Sequence, residues 1–292
     1  MPAYAPEPPV PLPPARTVVL PGRGEVFLRD TGGDGVPLLL LHGWTVSADL
    51  NWFAQYRGLA EAGYRVLAID HRGHGRGLRS LADFRLEDCA DDAVGVLREL
   101  GTGPALLAGY SMGGPIALLA ARRHPDAVTG LVLCATTSNW RSPRIRAFWW
   151  TMAFWRLVLA IAPYGVWRAG LRAAGLPDNA QTTWATSELV RGSARDIAEA
   201  GRELGRFDAR PWLAQVHRPA AVVVTRRDGL VPPPWQRDLA RRLDAPIVEC
   251  PGDHLASSNQ APEFTRALLE ALARVRQVVS SPPSTGSRTP VT

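Results

Sequence analysis

Ser111 stands among glycines in "GYSMGG", Gly109 to Gly114, where an apolar run from Ala105 meets a helical pattern from Met112 to His124. A serine at such a junction can act as a nucleophile. A sharp strand-to-helix turn lifts its hydroxyl clear of a sheet, and Cβ atoms at the flanking positions would crowd it. Pro115 fits the same reading, because near a helix start it lacks only an N–H that would be unpaired anyway.

A serine hydroxyl is a poor nucleophile near neutral pH, so the reading demands a histidine base and a carboxylate to hold its tautomer, in the chain order Ser, Asp or Glu, His. "VVVTRRDGLVPP" places Asp228 just past one apolar run, and "IVECPGDHLA" places His254 just past the next. Both then project from the carboxyl edge of a parallel sheet, where Ser111 sits. His124 falls at the far end of the helix after Ser111, about 20 Å away at 1.5 Å per residue, and His217 precedes a strand rather than following one. Asp253 is a rival to Asp228, weakened by adjoining His254, while "LCATTSNWRS" after the sixth apolar run has no carboxylate. An oxyanion needs backbone donors already in place. The Met112 N–H is one candidate and the Trp44 N–H of "LLLLHGWT" the other, with Gly43 permitting the turn and His42 read as a brace for that loop.

The elements that must position these groups are legible as alternating apolar runs and helical patterns, which predict an α/β fold with a mostly parallel, eight-stranded sheet flanked by helices. The strands are expected at Arg16 to Leu20, Glu25 to Asp30, Pro37 to Leu41, Arg65 to Ile69, Ala105 to Gly109, Gly130 to Cys134, Ala220 to Thr225 and Pro246 to Cys250. The first two are read as an antiparallel hairpin. Helices are expected at Trp52 to Ala62, Leu86 to Leu100, Met112 to His124, Pro234 to Leu243 and Ala261 to Val275. Residues 139–216 break the alternation and read as a helical cap inserted between strands 6 and 7, leaving 16–138 and 217–276 as the catalytic domain. Residues 1–15, a proline-rich arm, and 277–292, a Ser/Pro/Thr-rich tail, are expected to be disordered.

Composition narrows the function classes. The net charge is +6, yet every basic residue is arginine, scattered singly or in pairs among acids, so no basic stripe points to nucleic acid. Cys89, Cys134 and Cys250 are odd in number and far apart, which indicates neither a disulfide framework nor a zinc site and fits a reducing, cytoplasmic compartment. The start "MPAYAPEPPVPLPP" has no basic and apolar segments of a secretory signal. "DHRGHGRG", Asp70 to Gly77, reads as a structural loop, with His71 and His74 assigned to no metal. No cofactor is expected.

Taken together, "HGW" at His42 to Trp44, "DHRGHGRG", "GYSMGG", "RRDGLVP" at Arg226 to Pro232 and "GDHL" at Gly252 to Leu255 resemble the α/β-hydrolase superfamily over roughly Arg16 to Arg276. The resemblance implies Ser111 as nucleophile, His254 as base, Asp228 as orienting acid, and the Trp44 and Met112 N–H groups as the oxyanion hole. Serine at the nucleophile position sets the chain apart from the family's epoxide hydrolases and haloalkane dehalogenases, which carry Asp there. The expected activity is hydrolysis of a small-molecule carboxylic ester, as in a carboxylesterase or lipase. Acyl transfer, thioester or C–C hydrolysis and perhydrolysis would use the same groups. A non-catalytic ligand-binding protein is the alternative of another class.

"RAFWWTMAFWRLVLAIAPYGVW", Arg146 to Trp167, is interrupted by Arg156 and stopped by Pro163, so it is not expected to span a membrane. It reads as a cap helix packing its aromatics onto the catalytic domain. The sharper expectation is that Trp149, Trp150, Phe154 and Trp155 roof an apolar acyl pocket and meet a lipid interface, with Arg141, Arg144 and Arg146 facing headgroups.

Overall fold

The computed structural model describes residues 6–143, 147 and 150–280. Its strands are β1 (Ala15–Leu20), β2 (Gly24–Asp30), β3 (Val36–Leu41), β4 (Tyr64–Ile69), β5 (Ala105–Tyr110), β6 (Val128–Cys134), β7 (Ala220–Thr225) and β8 (Ile247–Cys250). They form one sheet in the order β1-β2-β4-β3-β5-β6-β7-β8. β1 and β2 pair antiparallel, β2 pairs antiparallel with β4, and every other pairing is parallel.

Parallel strands covered on both faces need apolar side chains at consecutive positions, which is why β3 reads "VPLLLL" and β7 "AAVVVT". Leu39 and Leu41 enter one core layer while Leu38 and Leu40 enter the other. The first layer lies under α3 (Leu86–Glu99), α4 (Gly113–Arg123) and α9 (Pro233–Arg242), and the second under α1 (Ala48–Trp52), α2 (Tyr56–Glu61), α10 (Ala256–Asn259) and α11 (Ala261–Ser280).

The chain runs outward from β3 to β4, then returns to place β5 on β3's other side. Loops leaving β3 and β5 therefore diverge around a crevice at their carboxyl ends. The loop holding Trp44 and the turn holding Ser111 flank that crevice.

Between β6 and β7 lie α5 (Met152–Ile161), α6 (Pro163–Ala173), α7 (Ala180–Leu189) and α8 (Ala194–Arg206). The segment is pinched at its neck. Asn139 and Asp208 form an antiparallel bridge, the Trp140 N–H donates to Phe207 O at 3.1 Å, and the Ala209 N–H donates to Ser138 O at 2.8 Å.

Three boundaries differ from expectation. The helix expected at Trp52 to Ala62 is two helices: Ser47 caps α1 by accepting the Leu50 N–H at 3.1 Å, and Gln55, between the two, is held by its side chain on Ser257 O at 2.9 Å. α11 continues to Ser280, past the expected domain end at Arg276, although its last buried residue is Val275. The proline arm is partly tied down: Leu12 packs on the core, Pro13 O accepts from Arg29 and Pro14 O accepts from the Asp30 N–H.

Candidate active site

Ser111 has φ of +51°, a conformation that costs an L residue about 1–3 kcal/mol and persists only where its surroundings fix it. Here they do. The Ser111 N–H donates to Cys134 O at 2.9 Å, and Ser111 O accepts from Thr136 Oγ1 at 2.8 Å and from the Gly114 N–H at 3.0 Å. The glycines make the turn possible. A Cβ on Gly109 would lie 2.3 Å from Gly113 O, one on Gly113 would lie 2.1 Å from Leu41 O, and one on Gly114 would lie 2.4 Å from Thr136 Oγ1.

Three side chains distant in sequence meet at the sheet edge. His254 Nε2 lies 3.0 Å from Ser111 Oγ, and His254 Nδ1 lies 2.8 Å from Asp228 Oδ2. Asp228 is buried, and its carboxylate is fully occupied: Oδ1 accepts the N–H groups of Leu230 and Val231 at 2.9 and 2.8 Å, and Oδ2 accepts Thr225 Oγ1 at 2.8 Å. Gln236 Nε2 adds a longer bond to the same oxygen at 3.3 Å and ties itself to Val231 O at 2.7 Å. Tyr110, the residue before the serine, donates its hydroxyl to His254 O at 3.0 Å. Asp253 turns away, accepting the Leu255 N–H at 2.8 Å.

The loop after β3 presses against this site. A Cβ on Gly43 would sit 3.4 Å from Ser111 Cβ, and the Gly43 N–H donates to Asn51 Oδ1 at 2.8 Å. His42 braces the loop. Its Nε2 accepts the His71 N–H at 2.9 Å, so the ring proton resides on Nδ1 and is donated to Gly43 O at 2.7 Å. In a trans peptide the N–H opposes the C=O, so holding Gly43 O toward His42 turns the Trp44 N–H the other way.

His42, His71 and His74 cluster under the edge with tilted rings, their centroids 4.2 Å (His42–His71) and 5.6 Å (His42–His74) apart. Burial keeps all three neutral, with mutual repulsion adding to it for His42 and His71: His42 falls well below the usual imidazole range, His71 to about 3 and His74 to about 4. Burial also raises the neighbouring Asp70 to about 6 against the N–H groups of Arg76 and Ala48 that hold it down. Among the described residues no group of His, Cys, Asp and Glu could hold a metal ion.

Ser111 and His254 open into a cavity of about 1660 Å³ with largely apolar walls, built from sheet-edge loops and from the helices between β6 and β7. Trp155, Met152 and Leu159 of α5 and Trp184 of α7 line it, as do Trp44 and Leu230. Trp155 is the one described member of the expected aromatic roof to line it. Trp150 and Phe154 face outward instead, 85% and 61% exposed, because α5 turns Met152 and Leu159 inward. Trp149, Arg144 and Arg146 lie outside the described residues.

α7 and α8 are fastened to the sheet edge. Glu188, buried on α7, accepts Ser47 Oγ at 2.8 Å and Arg76 Nη2 at 2.7 Å, and Trp44 Nε1 donates to Ile197 O at 2.7 Å. Sequence reasoning missed Thr136, Thr225, Gln236 and Glu188. Only Thr225, ending β7 three residues before Asp228, carried a local signal, as a strand-end turn.

The fold, the elbow and the convergence of serine, histidine and carboxylate define a class, and comparison with known proteins agrees. A family model described as alpha/beta hydrolase fold matches residues 36–259. The chain belongs to the α/β-hydrolase fold family, a family of hydrolases. The provisionally named carbamate hydrolase RutD of Variovorax paradoxus is 33% identical over 254 residues, covering 83% of this chain and 93% of its own. A non-heme haloperoxidase of Rhodococcus erythropolis is 37% identical over 110 residues, 37% of this chain and 39% of that one. Among solved structures, an esterase from Thermogutta terrifontis superposes with a TM-score of 0.76 at 27% identity, covering 90% of this chain and 99% of that one. Among the described residues no helix is long and apolar enough to cross a membrane.

Proposed function

We propose that the chain is a serine hydrolase that cleaves carboxylic esters with a hydrophobic acyl group. The carrying observation is the relay Ser111 Oγ to His254 Nε2 to Asp228 at 3.0 and 2.8 Å, on the floor of a large, mainly apolar cavity. Ser111 Oγ attacks the ester carbonyl while its proton passes to His254 Nε2. Asp228 accepts the Nδ1–H and stabilises the imidazolium. The tetrahedral oxyanion is met by the Met112 and Trp44 N–H groups. His254 then returns its proton to the departing alcohol, leaving an acyl group on Ser111. Water enters, gives a proton to His254 and cleaves the acyl-enzyme by the same path reversed. Residues 139–216 act as a cap over the acyl pocket in this reading.

Support for ester hydrolysis comes from the Thermogutta esterase and from the apolar cavity, which suits an aliphatic acyl chain. Carbamate hydrolysis is the second reading, favoured by the RutD likeness over most of both chains. A panel of p-nitrophenyl esters from acetate to octanoate, run beside a matched carbamate, separates them. The ester reading expects kcat/KM to rise about fourfold per added methylene, the equivalent of ~0.8 kcal/mol. A carbamate cleaved faster than every ester would replace it.

A further inference from the structure

α5 shows an unusual arrangement for a helix on a protein surface. Its inward residues Met152 and Leu159 are buried, yet its outer face is apolar as well. Phe154, Leu157 and Ile161 follow at intervals of three and four residues, so they share one side, and they are 61, 59 and 75% exposed, with Trp150, just before the helix, 85% exposed. Of the thirteen large apolar side chains exposed among the described residues, six fall between 150 and 164. Contiguous exposed apolar surface of this kind marks an interaction site.

The stretch of chain that carries it is basic, and α8, packed against α5, adds no net charge, since Asp196, Glu199 and Glu203 stand beside Arg195, Arg202 and Arg206. From Ala127 to Pro177 the chain has no Asp or Glu and six arginines: Arg141, Arg144, Arg146, Arg156, Arg168 and Arg172. The net charge of the whole chain is also +6. The first acid beyond this stretch, Asp178, is shared by Arg168 and Arg172, so one carboxylate offsets two guanidinium groups.

We propose that the outer face of α5, with its surrounding arginines, docks onto an anionic lipid surface. An apolar stripe flanked by cations is the pattern of a helix lying in the plane of an interface, its indole and phenyl rings at headgroup depth. Anionic headgroups supply the complementary charge. A second copy of the chain complements it poorly, because a two-fold contact would set this arginine-rich face against itself. At ten residues, α5 is too short to cross a bilayer and long enough to lie on one. Its opposite face lines the cavity above Ser111, so a lipid-dissolved ester would meet the site from the surface the protein rests on. That last consequence rests on the ester-hydrolase reading; the docking itself does not.

Vesicle co-sedimentation of the full chain tests it. Wild type is expected to pellet with phosphatidylglycerol vesicles at low salt, to stay soluble with phosphatidylcholine vesicles, and to be released from phosphatidylglycerol at high salt. The double variant Leu157→Ser with Ile161→Ser, at positions outside the cavity lining, is expected to keep its circular dichroism spectrum and its rate on a soluble short-chain ester. Its vesicle affinity should fall about tenfold or more. Wild type remaining in the supernatant with phosphatidylglycerol at low salt overturns the proposal, as does a folded double variant that binds undiminished. So does a wild-type dimer that the double variant dissolves, since the face then serves a second copy. Sedimentation needs no turnover, so a chain that binds vesicles but cleaves no ester would remove the ester reading alone.

Discussion

The sheet edge and the helices between β6 and β7 build opposite walls of one cavity by different physics. At the edge, backbone geometry sets position: Ser111 is held at positive φ by three hydrogen bonds, three glycines have no room for a methyl group, and Asp228 has every lone-pair direction in use. The inserted helices instead offer side-chain area. α7 and α8 are fastened through Glu188 and Ile197, while α5 presents apolar side chains to the cavity and to solvent alike. In the proposed reading, one region serves chemistry that tolerates no displacement and the other contact that does. Substitutions at the edge should therefore act as all-or-none changes, and those in the helices as graded ones.

The largest effect is expected at the relay. Ser111→Ala and His254→Ala should each lower kcat on a p-nitrophenyl ester by roughly 10⁴–10⁶ and leave the thermal transition within a few degrees of wild type. Residual rates above about 1% in either variant would break the comparison at its strongest point.

Next comes Gly113→Ala, whose Cβ would lie 2.1 Å from the backbone oxygen of Leu41, an atom held in the central sheet. Denaturant unfolding should show a loss of about 3 kcal/mol or more. The same change at Gly165 in α6, where a Cβ meets nothing within 4 Å, should be neutral or slightly stabilising.

Acid sensitivity should follow the edge, since no histidine lies within residues 139–216. The folded values of His71 and His74 are depressed to about 3 and about 4, so below about pH 6.5 the unfolded chain takes up protons that the fold refuses. Stability then falls with pH, by up to ~1.4 kcal/mol per unit for each such group. Asp70, raised to about 6, opposes this between that value and its ordinary 3.8, because the fold retains a proton the unfolded chain has lost. With His42 also depressed, the histidines outnumber it. Urea midpoints between pH 7 and pH 5 should decline, and a rising midpoint would refute the assignment.

The smallest effect belongs to the helices. Trp155→Ala should cut kcat/KM on an octanoate ester by about tenfold while leaving acetate within about twofold, since Trp155 lines the cavity that the proposed reading gives to the acyl chain.

The same contrast explains what could be read from the chain. Ser111, Asp228 and His254 were legible because their chemistry requires those residue types and parallel strands place loops at one edge, so position in the alternation stood in for position in space. Leu38 to Leu41 likewise announce a strand buried on both faces. Thr136, Thr225 and Gln236 escaped because a hydrogen bond from an ordinary polar side chain leaves no pattern, and Glu188 reaches Ser47 across 141 residues. The direction of α5 was hidden for another reason: large apolar side chains stand on both of its sides, so apolarity alone does not say which side turns inward, and Trp150 and Phe154, expected in the pocket, face solvent. Gln55 divides the expected first helix through a contact with Ser257, which local propensity cannot register.

The central claim is that Ser111 is a nucleophile activated by His254, and covalent labelling tests it most directly. Purified protein treated with a fluorophosphonate should gain one adduct, located by peptide mass spectrometry on Ser111, and the Ser111→Ala and His254→Ala variants should resist labelling on the same timescale. A folded wild type that takes up no label, or carries it on another residue, would contradict the account.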